Sequence, residues 1–368
     1  MSPLDITFVV PSLVRGGAER VTVNLANGLA ARGWRPRVLI TGSIDALASD
    51  LAPEVSAVRL GRPRVRNALT AVVRDLRKHP PAVVMSTHTH VNLALCALRS
   101  VLPSSTRMVI RAPIHAPEKL EGRSMRRTRL AQRLLYPRAD AIIASSARMA
   151  TDLSELVRTG IVRTENPVDV ARVRGRASRD VGVSEQRARP GRLLVSVGRL
   201  SPQKGMDDLI TAFARGSKAE DRLEIIGEGA ERPRLEQLIR ELGLNDRAEL
   251  MGTREDHWCR VAVADAFVLA SHAEGMPNAV LEALALGTPV IASADLSVLE
   301  ELASEIGPLA LRLVPRDRFA DALESTGRRT GPFPAPQLLP DRFGIEEAVD
   351  DLDRLLRRMV DDEGTERV

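Results

Sequence analysis

Short apolar runs alternate with stretches of helical spacing along most of the chain. The runs "ITFVV" (6–10), "RVLIT" (37–41), "AVVMS" (82–86), "RMVIR" (107–111) and "DAIIAS" (140–145) are rich in Val, Ile and Ala. Runs of this kind read as strands buried on both faces, the habit of a parallel sheet covered by helices. After the first run come Gly16-Gly17 and then Val21, Leu25 and Leu29, spaced by four as on one helical face and stopped by Gly33. Helical segments separate the later runs too. Such alternation predicts a doubly wound α/β domain.

The pattern lapses after Asn166-Pro167. From there to Arg192 the text is Arg-, Ser- and Gly-rich without a period, and it is assigned as the connection between two domains. Alternation resumes with "RLLVSVG" (192–198), "LEIIG" (223–227), "AELMG" (248–252), "AFVLAS" (266–271) and "PVIAS" (289–293). A proline-rich bend, "GPFPAPQLLP", precedes a last amphipathic helix expected near 346–360. The predicted fold class is α/β, with two Rossmann-like doubly wound domains facing each other across a cleft. Their expected bounds are residues 1–168 and 169–345, with residues 346–368 forming a terminal helix that packs back on the first domain. Ligands of such sheets bind beyond the carboxyl ends of the strands.

Composition agrees with this picture. A chain of 368 residues suits about two domains of ~150 residues each. Aromatic residues make up 2% of it, so the cores must be built from Leu, Val, Ile and Ala. Two distant cysteines, Cys96 and Cys259, suggest no disulfide framework or metal spacing and fit a reducing cytoplasm. The N-terminus has no basic segment ahead of a long apolar core, and no apolar run approaches the ~20 residues that span a bilayer. The expected location is cytoplasmic, with a peripheral place on the inner face of the cell membrane as a further expectation. Charge is uneven: residues 1–166 hold 25 Lys and Arg against 12 Asp and Glu, the remainder 28 against 36. A basic first half and an acidic second half suggest different partners for the two.

Three stretches could receive an anion. In "SHAEGMPNAVLEALALGTPVIAS" a buried strand runs into a helix in which Pro277 fits the first turn and Gly287 the C-terminal stop. The amides of Gly275 and Met276 just ahead of that helix favour negative charge. Glu274 would repel a lone phosphate there, but it would accept hydrogen bonds from hydroxyl groups, and Glu282 could reach a second hydroxyl-bearing ring. In "SVGRLSPQKGMDDLI", Arg199 and Lys204 flank a loop at a strand's carboxyl end, where a forked and a point cation could neutralise a diphosphate. In "VPSLVRGGAERVTVNLA", Gly16 and Gly17 would let backbone amides approach a ligand, although the stretch is not the dinucleotide fingerprint. Each also has a plain reading as solvated loop or surface residues.

Together these stretches resemble a retaining glycosyltransferase of family 4 (group 1), with the GT-B architecture, over nearly the whole chain. "EGMPNAVLEALALGTPVIAS" matches the family's signature of two glutamates with seven residues between them. "VGRLSPQKG" matches its donor-phosphate loop, "RGGAER" its first glycine loop and "NPVD" its domain junction. The resemblance implies a nucleotide-diphosphate sugar as co-substrate, UDP- or GDP-linked, with no other cofactor and no metal. It implies that Glu274 contacts the donor sugar, that Glu282 holds the ribose, and that Arg199 and Lys204 balance the diphosphate as it leaves. Gly16, Gly17, Gly198, Gly227, Gly275, Met276, Pro277 and Asn278 would complete the donor site. His115 of "RAPIHAP" would lie near the sugar as a catalytic contact. His88 and His90, read as ending a strand, and Arg111 are candidates for the acceptor, which would be a glycan, glycolipid or polysaccharide.

The chain departs from the family after "PVIAS", where "ADLSVLEELAS" replaces the usual turn, so the part played by Glu300 is left open. Arg126, Arg129 and Arg133 are expected on one stripe of a helix and Leu130 and Leu134 on another, which suits an anionic membrane surface. Two rival readings are a GT-B phosphorylase or hydrolase using the same cleft, and a non-catalytic basic protein that binds nucleic acid or membrane. The scarcity of aromatics argues against base-stacking platforms, and no nucleic acid is expected. The sugar, the base and the acceptor are not legible.

Overall fold

The computed structural model describes residues 4–14, 16–43, 47–61, 65–112, 123–158, 160–178, 190–330 and 333–361. The chain divides into two compact units: Met1–Pro167 with Arg342–Val368, and Val168–Asp341.

The first unit holds an all-parallel seven-stranded sheet in the order β3-β2-β1-β4-β5-β6-β7. These strands are Asp5–Val10 (β1), Arg35–Ile40 (β2), Ser56–Arg59 (β3), Val83–Ser86 (β4), Arg107–Arg111 (β5), Ala141–Ala144 (β6) and Ile161–Arg163 (β7). Strand β1 shows why both faces must be covered. Ile6, Phe8 and Val10 belong to one buried cluster, and Val9 between them belongs to another. Alternate side chains point to opposite faces, so burial at every position from Ile6 to Val10, Thr7 included, demands helices on both sides. The helices Gly17–Ala30 and Ile345–Asp361 supply Val21, Leu25, Leu29, Val349, Leu352 and Leu356 to the first cluster. A Cβ on Gly28 would lie 2.6 Å from Val349 Cγ2, so the glycine lets these helices approach closely. Trp34 Nε1 donates to Asp353 at 2.5 Å and Arg107 Nε to the Met359 carbonyl at 3.0 Å, pinning the middle and the C-terminal end of the returning helix.

The second unit holds six parallel strands in the order β10-β9-β8-β11-β12-β13. They are Leu193–Val197 (β8), Arg222–Ile226 (β9), Ala248–Gly252 (β10), Ala266–Leu269 (β11), Val290–Ser293 (β12) and Leu311–Val314 (β13). Leu194, Leu209, Phe213, Ile225, Val268 and Phe319 form its core on one face. Arg192 and Asp221, 5% and 1% exposed, form a buried ion pair at the amino ends of β8 and β9. Arg192 Nη1 also donates to the Thr326 carbonyl at 2.7 Å.

Several elements differ from expectation. The segment assigned as a connection contains the helix Val170–Ala177, which belongs to the second unit. Asp169 caps it by accepting from the Arg172 amide at 2.9 Å, and Arg174 donates to the Ala285 and Ala335 carbonyls, both at 2.9 Å. Two turns crowded with arginine hid the apolar pair Val173 and Ala177. The edge strands β3, β7 and β13 were not anticipated, because each is at least partly solvated and has no continuous apolar run. His88 and His90 do not end a strand. β4 stops at Ser86, His88 is the N-cap of the helix Thr89–Ala97, and His90 lies in its first turn.

Candidate active site

Strand order reverses between β8 and β11 in the second unit, so the chain leaves these two neighbours in opposite directions and opens a crevice at their carboxyl ends. The loops that flank it are residues 198–205 and 270–277, and they are fastened together. The His272 amide donates to the Gln203 carbonyl at 2.8 Å, and Gln203 Nε2 donates to the Ala273 carbonyl at 2.6 Å. Gly205 has φ +59°, and a Cβ there would meet the Ala270 carbonyl oxygen at 2.3 Å. Only glycine serves at that closely packed left-handed position.

This fastening brings Lys204 and Glu274 together. Lys204 Nζ donates to Glu274 Oε1, and the carboxylate is 9% exposed. Arg199 lies on the same loop as Lys204 with its side chain exposed. Gly198 and Gly227 carry the neighbouring loops past each other: a Cβ on Gly227 would sit 1.9 Å from the Gly198 carbonyl oxygen, and the Gly227 amide donates to Gly252 at 2.9 Å. Gly227 therefore lets the two backbones pack closely at the base of the loop that carries Arg199. Gly275, Met276 and Pro277 are buried. Pro277 occupies the N-cap of the helix Asn278–Ala285, so the helix starts one residue later than expected.

Glu282 lies midway along that helix. Its Oε2 accepts from Trp258 Nε1 at 2.8 Å and stands 4.0 Å from His257 Nε2. Trp258 and Gln203 were not picked out from the sequence. The signal for Trp258 was its rarity, since the chain has two tryptophans; nothing marked Gln203.

Beside the crevice, Asp207, Asp208 and His272 offer three ligand atoms within 4.8 Å of one another. Both carboxylates already have arginine partners: Arg234 Nη2 lies 2.8 Å from Asp207 and Arg316 Nη1 3.7 Å from Asp208. Burial pushes the Asp207 carboxyl up, but the Arg234 hydrogen bond, the Asp207 and Asp208 amides and the Arg234 charge together outweigh it and hold it below its usual value. Glu300 is exposed at the start of the helix Glu300–Ile306.

The first unit has its own order reversal, between β1 and β4. Gly16 is the N-cap of the helix Gly17–Ala30, and Glu19 Oε2 would lie 2.3 Å from a Cβ at Gly16. The carboxylate thus folds back over the helix start. His88 Nε2 stands 3.2 Å from Glu19 Oε1, and Thr87 Oγ1 3.2 Å from His88 Nδ1. His90 lies edge-on to His88, with ring centroids 5.9 Å apart, and burial together with the His88 charge lowers its pKa. Arg111 is 3% exposed. It donates to Thr164 Oγ1 at 2.9 Å, the Thr164 and Glu165 carbonyls at 3.2 Å, and Asn166 Oδ1 at 2.5 Å. Burial lowers its pKa to about 10, against the pull of Glu165. Its position is that of an internal tie between β5 and the segment after β7. His115 lies outside the described residues. On the helix Arg123–Leu135, Arg126 and Arg133 are exposed and Arg129 is half-buried. Leu130 and Leu134, 59% and 64% exposed, share the outer face with Arg126 and Arg133 rather than forming a separate stripe.

Comparison with known proteins agrees with this architecture. Residues 15–172 match the model "Glycosyltransferase Family 4" and residues 183–311 match "Glycosyl transferases group 1". The chain belongs to this glycosyltransferase family. It is 31% identical over 172 residues to the N-acetylgalactosamine-N,N'-diacetylbacillosaminyl-diphospho-undecaprenol 4-alpha-N-acetylgalactosaminyltransferase of Campylobacter jejuni, a match covering 46% of this chain and 45% of the relative. It therefore spans less than half the length of the first curated relatives it matches. A lipopolysaccharide core biosynthesis glycosyltransferase of Rhizobium meliloti, LpsD, is 27% identical over 291 residues, covering 76% of this chain and 75% of the relative. Among solved structures, Anabaena HepE in complex with UDP-glucose superposes with a TM-score of 0.76 at 19% identity, covering 96% of this chain and 100% of that one. The fold is GT-B, with two Rossmann-like parallel-sheet units.

Proposed function

We propose that this protein transfers a sugar from a nucleotide-diphosphate sugar to a glycan, glycolipid or polysaccharide acceptor, with retention of configuration and without a metal. The observation that carries the reading is the meeting of Lys204 and Glu274 at the order reversal of the second unit's sheet. A cation and a hydroxyl acceptor side by side suit one ligand bearing both a diphosphate and a sugar. Lys204 and Arg199 stabilise the charge that develops on the departing diphosphate, and Glu274 accepts hydrogen bonds from the hexose. Glu282 takes the ribose. With Lys204 beside it, Glu274 is a charge-balanced anchor, and leaving-group departure with attack from the same face accounts for retention. Matches to transferases that build lipopolysaccharide and an undecaprenol-linked glycan support a lipid-linked or polymeric acceptor.

Thermal denaturation with UDP, GDP, ADP and their sugars tests the donor. One nucleotide series should raise the midpoint, and NMR of the product should show the donor's anomeric configuration kept. No stabilisation by any nucleotide, or an inverted product, overturns the reading.

The outer face of the helix Arg123–Leu135 favours a second element of it, a peripheral contact with an anionic membrane. Arginines beside exposed leucines suit headgroups and the acyl boundary together. Sedimentation with anionic vesicles should fall when Arg126 and Arg133 become Glu and Leu130 and Leu134 become Ser. Unchanged sedimentation refutes that contact.

A further inference from the structure

Trp258 stands out in a chain with two tryptophans, because its indole is 2% exposed and a buried N–H must find an acceptor. The acceptor is Glu282 Oε2, at 2.8 Å. The indole itself has little room to turn. Arg176 Cζ lies 5.8 Å from its centroid, and the His257 ring lies 4.8 Å away, tilted by 44°. His257 is tied in turn, with Nδ1 3.2 Å from the Arg254 carbonyl and Nε2 4.0 Å from the same Glu282 oxygen. The next residue, Cys259, donates from Sγ to the Arg176 carbonyl at 3.5 Å. The helices His257–Val263, Asn278–Ala285 and Val170–Ala177 therefore meet around one ring.

We infer that Trp258 is a positioning residue for ribose recognition: its indole N–H anchors one oxygen of Glu282, so that the carboxylate meets a nucleotide ribose already oriented. The inference rests on the proposal that Glu282 holds the ribose. A glutamate side chain has three rotatable bonds and loses that freedom on binding a ligand. An anchor that is rigid and already desolvated removes much of this loss before the ligand arrives, which is how preorganisation raises affinity. The N–H bond to a charged acceptor is the stronger kind, and it survives in a partly buried setting.

The test is calorimetry on the full chain with three probes: the nucleoside diphosphate that stabilises it, the 2′,3′-dideoxy form of that nucleotide, and inorganic pyrophosphate. The unmutated protein should prefer the ribonucleotide to the dideoxy form by about tenfold. Trp258→Phe keeps a ring and deletes the N–H. It should lose most of that preference while its pyrophosphate affinity stays unchanged, a split that mere loosening of the fold would not produce. Full ribose preference in Trp258→Phe overturns the inference. Glu282→Ala separates the two ideas: if it also keeps the preference, the ribose assignment itself falls, and if it alone loses the preference, only the positioning role falls. Should Trp258→Phe not fold, the indole N–H resonance of Trp258 in the unmutated protein decides. It should shift with the ribonucleotide and not with pyrophosphate, and no shift with the ribonucleotide overturns the inference.

Discussion

Replacing Lys204 with Met removes a cation and keeps most of the side-chain stem, which passes beside Gly198. In the ligand-free protein this strands Glu274, a carboxylate 9% exposed that has lost its paired amine. Breaking a fully buried pair costs about 3–5 kcal/mol, and breaking an exposed one about 0–1 kcal/mol. The Lys204 side chain is 21% exposed, so water screens it in part and the cost falls between, at ~1–3 kcal/mol. That is a fraction of the ~5–15 kcal/mol that holds a domain together, and the variant should stay folded. The chemistry should suffer more. Losing one preorganised group at a site of developing charge costs roughly 10²–10³ in turnover, or about 2.7–4 kcal/mol. The assay is the initial rate of nucleoside diphosphate release from the donor in the presence of acceptor, paired with urea unfolding. Lys204→Met should show a modestly lower urea midpoint and turnover reduced by about two to three orders of magnitude. Lys204→Arg, which keeps the charge but not its shape, should recover part of the rate. Turnover by a folded Lys204→Met within about threefold of the unmutated protein, under 1 kcal/mol of barrier, would refute the reasoning.

Three further outcomes follow from the packing. Gly205→Ala forces a side chain onto φ +59° and against the Ala270 carbonyl, and should cost about 1–3 kcal/mol in urea unfolding while also lowering turnover through the shifted Lys204 loop. Asp221→Ala leaves the buried Arg192 guanidinium without its carboxylate and should cost about 3–5 kcal/mol by the same measurement. Burial pushes the Asp221 carboxyl up, but hydrogen bonds from the Arg192 side chain and from the Arg192 and Lys218 amides hold it below its usual value. Its folded pKa is thus lower than its unfolded pKa of ~3.9. Its contribution is whole above the unfolded value and is lost as pH falls through the folded one, so Asp221→Asn should flatten the acid limb of a pH–stability series.

The alternation of apolar runs and helical spacing was enough to locate the central strands, because strands buried on both faces are mostly apolar, with few polar positions such as Thr7 and Glu224 to blur them. It failed at β3, β7 and β13, which lie at sheet edges where solvent replaces one neighbour. It failed again at Val170–Ala177, whose inward positions are two small apolar residues among arginines. The meeting of Lys204 with Glu274 was legible as two loops, each following a strand, but the agents that join them were not. Gln203 reads as an ordinary loop amide until its bond to Ala273 is seen. Arg111 became an acceptor candidate through the family resemblance; its burial and its four acceptors depend on the 164–166 segment, more than fifty residues away in sequence. Glu19 escaped notice for a similar reason, since its partner His88 comes from a different strand's loop.

The most direct test of the central claim is a crystal structure of the full chain with the donor that stabilises it. The account predicts a diphosphate against Lys204 and Arg199, with the hexose hydroxyls on Glu274 and the ribose on Glu282. A donor whose diphosphate lies away from the carboxyl ends of β8 and β11, with Lys204 and Glu274 still closed on each other, would contradict it.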